Sequence, residues 1–227
     1  MDFGVSTVLP PEETENGYIS DQYFCRMLSA PALTLSAQYQ TEENEALERT
    51  LRVNTAIRDK NLVAIGGGEL WGLRYALQYA KRYVCVEPLA DLHINDSVRY
   101  LVERSPDVSV VPKRFEDVRK SDLPEGNSVF FFVFNIMAYL DSPVSQINRL
   151  ISPGDVLFIS TWGDNPRART IRSEYLQYLN RAEGASIDPD GSFGRYQLDR
   201  FPCTDIKHFL RSERIKGVAT DLLIVYT

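Results

Sequence analysis

The chain reads as an α/β fold with a mostly parallel sheet and helices on both faces, on three observations. Short, almost wholly apolar runs of strand length recur from about Asn61 onward, amphipathic helical stretches separate them, and two closing runs lie too near each other for a parallel crossover. Apolar runs without polar alternation mean strands buried on both faces.

Each element has its own signal. From Ile19 to about Asp59 the pattern is helical: Tyr23, Met27 and Leu28 share a face, Asn44 to Ile57 forms a second amphipathic helix, and Pro31 interrupts between them. Asn61 to Ile65 is the first strand and runs into Gly66-Gly67-Gly68; the next helix carries Leu70, Leu73, Leu77 and Ala80 on one stripe. Tyr83 to Val86 is the second strand, closed by Glu87-Pro88, and His93 to Ser105 is helical up to a Ser-Pro stop. Val108 to Val111 is the third strand and Ser128 to Phe134 the fourth. Ser142-Pro143 opens a helix through Ile151, with proline at a permitted early position, and Asp155 to Thr161 is the fifth strand. Ala168 to Ala182 is helical, Glu183 to Pro202 a Gly/Asp-rich excursion and Asp205 to Ser212 a short helix. Ile215 to Ala219 and Leu222 to Tyr226 then pair as a hairpin, which puts an antiparallel strand into the sheet. The organisation is an N-terminal helical cap over 1–60 and a sheet domain over 61–227, with an insertion at about 162–204.

Composition narrows the partners. The 227 residues carry a net charge of −6. No basic cluster offers the convergent cations that a phosphate backbone needs, so a small-molecule substrate is expected and nucleic acid is not. No stretch approaches the roughly 20 apolar residues that span a bilayer. The start lacks the pattern of a secretory signal, which makes the cytoplasm the expected compartment. Cys25, Cys85 and Cys203 have neither disulfide nor zinc spacing and read as packed thiols; His93 and His208 are isolated, so no metal site is expected. Nothing in the sequence speaks to oligomeric state.

The residues that suggest chemistry sit at strand ends. A strand running into Gly66-Gly67-Gly68 and then a helix lets a ligand approach the backbone closely, although glycine triplets also build plain turns. Glu87 follows about twenty residues on, at the end of the next strand, where a carboxylate can accept two hydrogen bonds from a ribose diol. A nicotinamide dinucleotide fits poorly. Its fingerprint wants a third glycine where this chain has Trp71, and no second nucleotide-binding half follows.

The stretch Phe134-Asn135-Ile136-Met137-Ala138-Tyr139-Leu140-Asp141, followed by Ile147 to Leu150, Ser152-Pro153-Gly154-Asp155 and a further apolar strand, resembles the class I S-adenosylmethionine (SAM)-dependent methyltransferases. The likeness runs from about Asn61 to the C-terminus and includes the reversed last strand. It implies a Rossmann-like fold with SAM as cofactor. Gly66, Gly67 and Gly68 would line the methionine part and Glu87 the ribose; Pro88, Leu89, Phe115 and Glu116 would surround the adenine. Asn135 would sit near the sulfonium and the acceptor, with Tyr139 beside it. The chain departs from the family pattern at Ala64, Leu70 and Arg114.

Methyl transfer to a small metabolite, as in a biosynthetic pathway, is the reaction the resemblance implies. Two alternatives stay open: attack at the γ-carbon of SAM with release of methylthioadenosine, as in aminocarboxypropyl transfer or azetidine-2-carboxylate formation, and a non-catalytic SAM-binding partner protein. Tyr18, Tyr23, Trp162, Tyr175 and Tyr178 are candidates to contact the substrate, because electron-rich rings attract a sulfonium or ammonium.

Overall fold

The computed structural model describes residues 29–67, 72–88, 100, 102–140, 142–181 and 211–227. Helix α1 (Ala30–Val53) comes first, then β1 (Asn61–Ile65), α2 (Leu73–Tyr79), β2 (Arg82–Val86), β3 (Val108–Val111) and β4 (Ser128–Phe132). Helix α3 (Pro143–Leu150), β5 (Val156–Trp162), α4 (Pro166–Arg181), β6 (Arg211–Lys216) and β7 (Thr220–Tyr226) complete it. The seven strands lie in the order β3-β2-β1-β4-β5-β7-β6. The first five are mutually parallel, and β7 runs antiparallel to both β5 and β6.

Strand periodicity sorts the core into two layers. Leu62, Ala64, Cys85, Phe131 and Phe158 face α1 and α2, whereas Val63, Ile65, Val84, Phe132 and Ile159 face α3. Neighbouring strands meet face to face at Phe131 and Phe158, whose rings stack at 4.9 Å. Because every residue of β1, β4 and β5 is buried, the strands can offer a ligand only their ends. Among the described residues, no helix is long and apolar enough to cross a membrane.

Several element boundaries differ from the sequence expectation. Pro31 opens α1 rather than separating two helices, since a proline in the first turn loses no intrahelical bond. The helix expected over 44–57 is the second half of α1; it stops at Val53, and Thr55–Ile57 forms a 3-10 turn. Helix α2 buries Tyr75 and Ala76, while Leu77 is exposed instead of lying on the core stripe. Strand β4 ends at Phe132 because the backbone turns left-handed at Phe134. Strand β6 begins at Arg211, not Ile215, and its turn to β7 is closed by the Gly217 amide donating to the Thr220 carbonyl at 2.7 Å. An exposed edge strand of charged residues leaves no hydropathy signal. Of the helix expected over 93–105, residues 100 and 102–104 are helical and the rest lies outside the described residues, as does the excursion 183–202.

Candidate functional site

Two neighbourhoods form along the carboxyl edge of the sheet. The first joins β1 to β2. Gly66 turns at φ 64°, and its amide donates to the Val86 carbonyl at 2.9 Å, which ties the turn to the end of β2. A Cβ at Gly66 would lie 2.6 Å from Ile136 Cδ1, and one at Gly67 would lie 2.6 Å from Cys85 Sγ. A side chain at either place would have to displace that neighbour, and at Gly66 it would also sit in a left-handed turn. Gly66 is exposed while the strands that lead to it are buried.

Glu87 stands immediately past β2, 6% exposed, with its amide donating to the Val111 carbonyl at 3.1 Å. Its charge reaches the groups beneath the glycine turn. Burial pushes the Cys85 thiol up to about 12, and the Glu87 carboxylate adds to that. The Tyr83 hydroxyl is also raised by burial, then by Cys85 and Glu87. Cys85 is therefore a protonated, packed thiol at neutral pH.

The second neighbourhood lies at the tips of β4, β5 and β7 under α1. Phe134 (φ 50°) and Asn135 (φ 59°) are consecutive left-handed residues. Asparagine tolerates this conformation; a phenylalanine in it costs about 1–2 kcal/mol. The compensation comes from Glu43 of α1, whose Oε1 accepts the Phe134 amide at 2.6 Å. The same oxygen accepts the Ser160 hydroxyl in a short bond. Ser160 Oγ lies 2.6 Å from Tyr39 Oη and 3.3 Å from Thr220 Oγ1, whose own proton goes to the Thr161 carbonyl at 3.1 Å. The proton count fixes a direction. With Glu43 ionised, Ser160 must donate to Glu43, and so Tyr39 donates to Ser160.

Tyr39 and Glu43 share a helix face because they are four residues apart. Burial raises the Glu43 carboxyl to about 7, against the hydrogen bonds from Ser160, Phe134 and Tyr39. No cation among the described residues contributes to it. The Tyr39 hydroxyl is driven well above its ordinary range by burial, then by the Glu43 charge, while the Asn135 backbone holds it back. Glu42 pins α1 to the β6–β7 turn, accepting the Ala219 and Thr220 amides at 2.8 and 3.2 Å.

Four rings enclose this cluster in a closed circuit. Tyr39 meets Trp162 at 4.4 Å and Phe134 at 5.4 Å; Tyr175 meets Trp162 at 5.9 Å and Phe134 at 6.5 Å. Trp162 and Tyr175, singled out in the sequence, thus join Asn135 at one place. Tyr178 is half-buried beside them, with its hydroxyl 3.1 Å from Ser29 Oγ. Tyr139 closes the 3-10 turn that follows Asn135, and Pro88 follows Glu87, half-buried.

Phe115 is a core residue, edge-on to Phe132 at 5.3 Å, and the Glu116 side chain lies 3.8 Å from Arg114 Nε. Gly68, Leu89, Tyr18, Tyr23, His93 and His208 lie outside the described residues. Sequence reasoning missed Tyr39, Glu43 and Ser160. A signal existed: Ser36, Tyr39, Glu43, Ala46, Leu47 and Thr50 follow helical spacing, so Glu43 sits on the buried stripe of α1.

The strand order, with its reversed β7, is that of the class I SAM-dependent methyltransferase fold. Among solved structures, the chain is similar to a candidate methyltransferase from Thermobifida fusca, with a TM-score of 0.57 at 14% identity over 87% of each chain. It also overlays, less closely, on the N-methyltransferase NodS from Bradyrhizobium japonicum in complex with S-adenosyl-L-homocysteine (TM-score 0.49, 10% identity, 90% of this chain and 95% of that one). MtNAS in complex with MTA and tNA gives a TM-score of 0.46 at 17% identity, over 91% of this chain and 69% of that one. At such identities the likeness is one of fold. No protein-family model and no curated protein sequence matches the chain.

Proposed function

We propose that this protein binds SAM along the carboxyl edge of β1, β2 and β4 and transfers a group from it, methyl in the first place, to a small-molecule acceptor. The observation that carries the reading is the pairing of a tightly packed glycine turn with a buried carboxylate at the next strand end. A side chain at Gly66 would press on Ile136 and one at Gly67 on Cys85, so either would disturb the turn on which the ligand would rest, and Glu87 would supply the acceptor for a diol. Gly68 would extend that cradle. Pro88 and Leu89 would bound the base on one side, with Phe115 and Glu116 on the other. Bound there, SAM supplies an activated carbon next to a good leaving group, so the protein's task is to position, desolvate and take up a proton.

The remaining residues fit that task. Asn135, at the tip of β4, would orient the acceptor beside Tyr139, and Trp162 and Tyr175 would offer aromatic faces to a cation. The segments over 1–60 and about 162–204 would close over the site and exclude water; Tyr18, Tyr23 and Tyr178 would contribute from them. A second reading, γ-carbon attack by an amine, is favoured by the buried Glu43 carboxylate, to which no cation among the described residues contributes.

Calorimetric titration with SAM tests binding, and mass spectrometry of the nucleoside product tests the reaction. S-adenosylhomocysteine supports methyl transfer, and methylthioadenosine above the no-enzyme rate supports the second reading. Absence of any heat with folded protein removes both.

A further inference from the structure

The two neighbourhoods of the carboxyl edge meet where Ile136 lies against Gly66. We propose that Glu43 is a positioning residue for SAM. It locks the tip of β4 in the shape that seats Ile136 on the glycine turn, and so sets that turn for the cofactor without touching it. The role rests on the reading of the glycine turn as part of a SAM site and names the element that shapes it.

A chain of contacts runs from α1 to the glycine turn. Strands β1 and β4 are parallel neighbours in a register that pairs Ala64 with Phe131, so their tips lie side by side. Past β4 the backbone takes two consecutive left-handed residues, Phe134 and Asn135, a conformation that L side chains disfavour. Glu43 Oε1 accepts the Phe134 amide at 2.6 Å. Tyr39 Oη meets the Asn135 backbone, which favours the ionised hydroxyl as a donating amide does. One face of α1 therefore grips both residues of the turn, since Tyr39 and Glu43 are four residues apart. Glu43 is itself held by the Ser160 hydroxyl of β5.

The turn then closes, with the Ile136 amide donating to the Val133 carbonyl at 3.1 Å. That closure delivers the Ile136 side chain to Gly66. Its Cδ1 and Cγ1 lie 2.6 and 2.8 Å from the place a Cβ on Gly66 would take. The Gly66 amide is tied in turn to Val86, the residue before Glu87. A strained backbone persists only where its surroundings hold it, and without Glu43 the Phe134 amide loses its acceptor. The turn would relax and carry Ile136 off Gly66. Gly66 is exposed and Ile136 half-buried, so this junction is open to a ligand, whereas Tyr39 and Glu43 are enclosed and act through the backbone. The adjacent Glu42 anchors the same helix elsewhere, at the Ala219 and Thr220 amides.

SAM affinity, measured by calorimetry on protein that circular dichroism shows to be folded, tests the role. Glu43→Leu removes the acceptor and should weaken binding about 10-fold. Glu43→Gln keeps an acceptor oxygen and should bring affinity back to within about 3-fold of wild type. Ile136→Ala breaks the link, so adding Glu43→Leu to it should cost less than about 2-fold more. Glu42→Ala should lower the unfolding midpoint and leave SAM affinity unchanged. Tyr39→Phe, which keeps the ring and removes the oxygen facing Asn135, replaces Glu43→Leu in the cycle if the Leu variant does not fold.

A spectroscopic signature needs no cofactor. In 15N-glycine-labelled protein the Gly66 amide resonance should shift in Glu43→Leu, or in Tyr39→Phe, and return in Glu43→Gln. Wild-type affinity in Glu43→Leu, full additivity with Ile136→Ala, or an equal loss of affinity in Glu42→Ala overturns the positioning role. So does an unmoved Gly66 resonance. Folded wild-type protein that takes up no SAM removes the underlying reading instead, whatever the Gly66 resonance does.

Discussion

The two ends of the sheet's carboxyl edge are built on opposite terms. At β1–β2 the proposed ligand surface is made by subtraction: Gly66 and Gly67 let the turn pack tightly on Ile136 and Cys85, and one acid, Glu87, stands at the next strand end. At β4–β5–β7 it is made by addition, with a helix laying Tyr39 and Glu43 onto Ser160 and four rings closing around them. The first arrangement suits holding a ligand of fixed shape. The second buries a charge that must be neutralised, which suits chemistry.

That contrast can be broken most directly through stability. Glu43 titrates at 4.5 when free and at about 7 here, so the folded state binds the extra proton between those values. The stability this contributes is complete below about 4.5 and lost as pH rises through about 7, roughly 3 kcal/mol in all. Urea unfolding at pH 5 and pH 8 should show that loss in the wild type and a markedly smaller one in Glu43→Gln. Equal slopes would mean that Glu43 is not the buried charge described here.

The β1–β2 edge should respond in binding instead. Glu87→Ala would remove the two charge-assisted hydrogen bonds proposed to a ribose, and calorimetry should then find SAM affinity about 100-fold weaker with folding intact. An unchanged Kd would move the ribose elsewhere. The smallest effect is steric. Gly67→Ala presses a methyl onto Cys85 Sγ, and thermal unfolding should register a loss of about 1–2 kcal/mol. Cys85→Ala should recover part of it in the double variant, since the two share one space.

How far each edge was legible follows from the same contrast. Gly66, Gly67 and Glu87 lie within one strand–turn–helix–strand unit, and the roles proposed for them rest on residue type and spacing; β1, β2 and β5 are legible in the same local way, because apolar runs mark buried strands. Strand β6 was not, since Arg211, Ser212 and Glu213 carry the composition of a loop while pairing with β7 at the edge. Glu43 falls just before the amphipathic helix expected from Asn44 and was not singled out. Its burial depends on Ser160, more than a hundred residues away (|i−j| = 117).

Local sequence, then, determined what local physics governs: buried strands, a glycine turn and an acid at a strand end. Tertiary structure alone decided that α1 would cross the tips of β4, β5 and β7, and with that which of its glutamates would lose water. The reason is that hydrophobic periodicity reports which face of an element is buried, whereas desolvation of a particular carboxylate depends on the partners that fold over it.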